Sequence, residues 1–138
     1  MNYARVLITS IAATVVLFVY GGIVFTSAPV RNEFQRYAAL YRPIAAMKPL
    51  IPIALLTIFI AIVIVVVLFA MTSQRGALAG ARFGALVGLF AVCAFVFHNY
   101  VNLNLGLRLT VIQAIAYFIE WTLVGLVIGL LYKPTTTK

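Results

Sequence analysis

Four apolar runs divide the chain, each close to the length of one membrane crossing. They cover about residues 6–26, 50–71, 77–100 and 109–132. At roughly 1.5 Å per helical residue, ~20 residues reach about 30 Å, the hydrocarbon thickness of a bilayer. Backbone polar groups inside hydrocarbon must be satisfied within their own segment, which predicts an α-helix for each run.

The first run also invites reading as a cleaved secretion signal. Arg5 precedes it, and Thr26-Ser27-Ala28 resembles a small-residue cleavage site. The run is longer than the roughly 7–15 apolar residues of such signals. Pro29 would also follow the cut directly. A retained helix is the expectation.

Between the first two runs lies the longest hydrophilic segment, which holds Arg31, Glu33, Arg36, Arg42 and Lys48. Val30, Phe34, Tyr37, Ala38 and Tyr41 recur at helical spacing, while Arg31, Asn32, Glu33, Gln35 and Arg36 take the remaining face. This pattern predicts a short interfacial helix over about 28–42, ended by Pro43. An extended loop is the alternative. In the second run, Ile58 to Phe69 carries no polar side-chain atom. A helix apolar all round offers a partner nothing to recognise by hydrogen bonding, so much of it should face lipid.

Thr72-Ser73-Gln74-Arg75 forms a tight polar turn. Gly76, Gly80, Gly84 and Gly88 then follow at intervals of four, with Ala77, Ala81 and Ala85 beside them. Gly125 and Gly129 repeat the interval in the fourth run. Lipid removes the hydrophobic drive for helix association, so small-residue ridges that let backbones approach become the packing device. Lys133-Pro134 stops the fourth helix, and a Thr-rich tail follows.

Composition agrees with the pattern. The chain is 65% hydrophobic and 9% charged, against roughly 25% charged in soluble domains. Its mean hydropathy is +1.17. A soluble fold of this length leaves too much surface exposed to hide so many apolar residues. The net charge of +8 comes from ten Lys and Arg against two acidic residues. Those basic residues sit singly or in pairs between apolar runs, where they meet lipid headgroups, so nucleic acid is excluded as a partner. Cys93 is the one cysteine, so no internal disulfide forms. Arg5, Arg75, Arg82, Lys133 and Lys138 fall on the side of the termini, and Arg31, Arg36, Arg42, Lys48 and Arg108 on the other. The balance is even, and the basic 72–76 turn and tail tip the expectation toward cytoplasmic termini.

Glu120 is the first candidate for chemistry. A carboxylate at mid-membrane costs about 2.5–3.5 kcal/mol or more unless paired or protonated. Gln113 and Tyr117 share its helix face, giving a stripe of amide, phenol and carboxyl. The stripe suits a proton, cation or polar-headgroup site; a hydrogen-bonded carboxyl that fastens helices is the plainer alternative. Arg82 is a possible counter-charge, or an arginine snorkelling to the interface. His98 is expected as an interfacial histidine with a satisfied hydrogen bond; the alternative sets His98 and Asn99 with Gln113 at one mouth of the bundle, and Tyr20 late in the first helix is either an interfacial aromatic or part of that mouth. A lone histidine without HxxxH or paired Cys predicts no metal site. No cofactor is expected, and no nucleophile–base pair is recognisable.

The segment from Gly80 to Pro134 joins a Gly-rich helix ending in Phe97-His98-Asn99-Tyr100 to a helix with mid-membrane Glu120 and terminal Gly125 and Gly129. In these features it resembles families of small four-helix bacterial inner-membrane proteins. The resemblance implies a fold but no activity. Small multidrug transporters share the size and the four spans, but their essential glutamate lies in the first helix, which here has no acidic residue.

The expectation is a single all-α domain over 1–138, a polytopic bundle of four transmembrane helices with a short interfacial helix in the first loop. Its leading functional reading is a non-enzymatic member of a membrane assembly, homo-oligomer or accessory subunit, in a bacterial inner membrane with lipid as its constant partner. The rival is a small transporter or channel that uses Glu120. A lipid-modifying enzyme at the His98 mouth is a weaker third.

Overall fold

The structure is a computed structural model and describes residues 2–72 and 74–132. Lys133, Pro134, Lys138 and the Thr-rich tail lie outside the described residues, as does Ser73 of the polar turn.

Helix α1 spans Tyr3–Thr26. It begins where the Asn2 side chain accepts a hydrogen bond from the Arg5 backbone N–H at 3.1 Å, satisfying a donor the first turn leaves free. It ends at Ser27, whose extended ψ of 140° breaks the helix and whose hydroxyl donates to the Val24 carbonyl at 2.6 Å. Pro29 then sits in the first turn of α2, Ala28–Gln35, where a missing N–H is harmless.

The helix expected over 28–42 therefore occupies only Ala28–Gln35. Tyr37 leaves helical geometry (φ −114°, ψ 21°), and its ring packs on Gly106 in the last connection, where a Cβ would meet Tyr37 Cζ at 3.0 Å. The chain continues through one-turn helical pieces at Ala38–Leu40, Ile44–Met47 and Lys48–Leu50. Pro43 bars a helical residue at 42 from joining these pieces into one helix.

Helix α3 spans Ile51–Met71, α4 spans Ala77–Asn102, and α5 spans Leu107–Leu131. Within α4 the segment Val92–Phe97 is π-helical, a widened turn that the four-residue glycine spacing gave no sign of. Four segments are long and apolar enough to cross a membrane: Tyr3–Thr26, Ala38–Met71, Ala77–Asn102 and Leu107–Leu131. The protein is an all-α membrane bundle.

The closest packing joins α4 to α5. A Cβ on Gly80 would strike the Gly125 carbonyl oxygen and lie 2.6 Å from Gly129 Cα. One on Gly84 would strike the Trp121 carbonyl oxygen and lie 2.8 Å from Gly125 Cα. One on Gly88 would lie 3.1 Å from the Phe118 carbonyl oxygen. Each step of four up α4 is matched by a step of four down α5, the register of an antiparallel pair with backbones in contact. Gly76 differs from the other three. Its φ of +87° is a turn conformation that L side chains rarely adopt, and its own Cβ position is open. It meets α5 through its carbonyl oxygen, which lies where a Cβ on Gly129 would be.

Helix α1 packs against α5 on one side and α3 on the other. Val6, Ala13 and Leu17 of α1 join Ile62, Val65, Val66 and Phe69 of α3 and Val124 and Ile128 of α5 in one buried cluster. Only the second half of α3 takes part, while Ile51, Ile53, Leu55 and Leu56 are exposed. The lipid-facing second helix expected from composition thus has one buried stripe near its end. Phe69 also reaches across to Phe83 of α4, with ring centroids 5.5 Å apart.

Adding volume at Gly84 should break the α4–α5 contact, because the obstructing atoms are backbone and have no rotamer to escape into. Gly84→Val is expected to destabilise the folded chain by ~3 kcal/mol or more, read as loss of the cooperative thermal transition in detergent. Gly22→Ala meets open space and should unfold at nearly the wild-type temperature.

Candidate functional site

The row 121, 125, 129 of α5 is committed to α4, so residue 120, rotated by about 100°, turns toward α1. Glu120 is 4% exposed. Opposite it α1 carries Gly21, where a Cβ would come within 2.9 Å of Glu120 Oε1 and 3.8 Å of Phe25 Cδ2. The carboxyl therefore fills the notch that the missing side chain of Gly21 leaves. Tyr20 and Tyr117 stand close enough to feel its charge. Among the described residues no hydrogen bond and no ion pair reaches the Glu120 carboxyl.

Tyr117 connects this pocket to the membrane face that holds Arg31. A cavity of about 440 Å³ opens there, with Arg31, Tyr41, Asn99, Gln113 and Tyr117 as its polar lining. Tyr41 and Gln113 interact through their side chains. Four aromatic rings line up around it: Phe25 lies 5.7 Å from Tyr117 and 6.0 Å from Phe34, which lies 5.5 Å from Tyr41, centroid to centroid. Phe25 borders both the cavity and the Gly21 notch.

The structure thus brings Gln113, Tyr117 and Asn99 together at the mouth and sets Glu120 one turn beyond them. His98 is not part of this group. It is exposed and lines none of these cavities, and its carbonyl accepts from Asn102 Nδ2 at 2.8 Å. Arg82 is exposed and makes no ion pair among the described residues, as its position off the glycine ridge requires. No three His, Cys, Asp or Glu side chains among the described residues assemble as a metal site.

Sequence reasoning placed Glu33 on the polar face of α2, yet it is 3% exposed. Its Oε2 lies 3.5 Å from Arg36 Nη1 and 3.7 Å from Arg108 Nε. The Arg108 pair ties α2 to the start of α5 and holds Phe34 and Arg31 over the mouth. The available signal was charge scarcity: Glu33 is the one acidic residue among five basic ones on that side.

Both arginines are more than half exposed, so each pair contributes only ~0.2–1 kcal/mol. Glu33→Gln is expected to raise amide hydrogen exchange across Ala28–Gln35 while leaving global stability within about 1 kcal/mol of wild type. Unchanged exchange there would show that α2 is held by its apolar contacts alone.

No protein-family model, no curated protein and no solved structure matches the chain, so its functional reading rests on this geometry.

Proposed function

We propose that this small membrane protein works through a site inside its own four helices. The Glu120 carboxyl takes up a proton or small cation that arrives from the Arg31 side past Gln113 and Tyr117. The placement of Glu120 carries the reading. A carboxyl that fastened a partner subunit would lie on the outer face of the isolated chain, whereas Glu120 is enclosed by α1 and α5. One that fastened α1 to α5 would be hydrogen-bonded to α1, but it sits in the Gly21 notch and no such bond reaches it among the described residues. A carboxylate held 4% exposed at mid-membrane costs about 2.5–3.5 kcal/mol or more unless it is paired or protonated. A group kept free to bind accounts for that cost. We read the protein as non-enzymatic and place it in a bacterial inner membrane with cytoplasmic termini.

Reconstituted in liposomes under an imposed pH or cation gradient, the wild-type chain is expected to pass proton or cation. Glu120→Gln should reduce that flux at least tenfold with the fold intact. Full retention of flux in the variant contradicts the proposal.

A second reading, membership of an assembly, is favoured by the first half of α3. Ile51, Ile53, Leu55 and Leu56 are exposed, leaving a face open to lipid or to another copy. The mass of the protein after gentle solubilisation from its native membrane separates the cases. A monomer or small homo-oligomer is expected, with the site inside the four helices. A large complex with other polypeptides would instead make the chain an accessory subunit.

A further inference from the structure

Three cavities follow one another from the Arg31 mouth into the seam between α3 and α4. The mouth cavity and a second of about 340 Å³ share Asn99, Gln113 and Tyr117. The second and a third of about 490 Å³ share Ala61, Ala91, Phe95 and Trp121. The tract changes character along its length. Arg31, Tyr41, Asn99 and Gln113 surround its mouth. Its inner end, between Ile64 and Leu68 of α3 and Phe83, Leu86 and Phe90 of α4, is wholly apolar or aromatic. The Phe69–Phe83 contact bridges the two helices at that end. From Asn99 to Phe83, α4 runs about 24 Å at 1.5 Å per residue. That exceeds the ~15 Å of hydrocarbon in one leaflet.

A polar mouth with one cation that opens into an apolar groove, the whole tract longer than a leaflet, has the form of a single amphiphile. Arg31 is the one charged residue among those lining the tract, is exposed, and makes no ion pair among the described residues. Glu33, the nearby carboxylate, is engaged by Arg36 and Arg108 instead. The charge at the mouth therefore selects an anionic headgroup.

We propose that the α3–α4 seam holds one acidic phospholipid. Its phosphate sits at Arg31 within reach of Tyr41 and Gln113, and an acyl chain lies along the groove past Trp121. A lipid held this way fills a gap that α3 and α4 leave open, and is distinct from the exchangeable lipid around the bundle. The inference does not rest on the role of Glu120, which does not line the tract.

Trp121 is the only tryptophan in the chain and borders both inner cavities, so its fluorescence reports the occupant directly. The full chain is placed in zwitterionic bilayers containing a small fraction of acyl-brominated phospholipid, with either a phosphatidylglycerol or a phosphatidylcholine headgroup. Bromine quenches tryptophan on contact. The brominated phosphatidylglycerol is expected to quench Trp121 several-fold more strongly per mole than the phosphatidylcholine. Arg31→Gln, an exposed position that the fold tolerates, should bring the two to the same level. Lys48→Gln, on the same side but off the tract, should leave the preference intact. Equal quenching in the wild-type chain, or a preference unchanged by Arg31→Gln, overturns the proposal. Glu120→Gln should leave the preference in place, so loss of cation flux and loss of lipid selectivity report separate failures.

Discussion

Backbone contact between α4 and α5 sets the geometry on which everything else depends. In lipid there is no hydrophobic gain from bringing two apolar helices together, so association rests on close packing. Gly80, Gly84, Gly125 and Gly129 permit that packing because atoms of the opposite backbone occupy the space a Cβ would need. Once the row 121, 125, 129 is fixed on α4, the neighbouring row 120, 124, 128 must face α1. Val124 and Ile128 bury themselves against α1 and α3 in consequence. Glu120 faces the same way, toward Gly21. The same rotation leaves Arg82 outside, which is why the one basic residue within the third apolar run does not neutralise the one acidic residue within the fourth.

The rest of the bundle is looser. Helix α3 is buried only over its second half, in the cluster it shares with α1 and α5, and its Phe69 meets Phe83 of α4. The space that remains becomes the chain of cavities ending at the Arg31 mouth. A rigid helix pair beside an incompletely closed seam suits a ligand site, since the pair fixes lining groups while the seam supplies volume. The Glu33–Arg108 pair extends this order to the membrane face by anchoring α2 over the mouth.

Much of this was legible in the sequence. Apolar run length gave four helices, because the bilayer sets the length that backbone hydrogen bonding must fill. The four-residue glycine interval marked the ridge, and the Gln113, Tyr117, Glu120 spacing put three polar side chains on one helix face. What stayed hidden depends on contacts between distant segments. Helix α2 stops at Gln35 because Tyr37 is drawn to Gly106, a partner nearly seventy positions away. Glu33 looks like a surface residue until α2 is laid against α5. His98 sits next to Asn99 in the chain and both are exposed, yet only Asn99 lines the cavities, a distinction that helical phase after a π-turn decides and residue type does not. The Gly21–Glu120 contact was equally invisible, since Gly21-Gly22 reads as a generic site for close approach on either residue.

In the proposed site, Glu120 is enclosed by its own chain yet exchanges with one aqueous face through Tyr117 and Gln113. Infrared difference spectroscopy on the reconstituted protein addresses it directly, by following the side-chain carboxyl band that disappears in Glu120→Gln as the medium is taken from acid to alkaline. This band is expected to convert between carboxylic acid and carboxylate as the medium changes. A Glu120 band that stays fixed across the whole range would mean a carboxyl sealed from water, and would contradict the site proposed here.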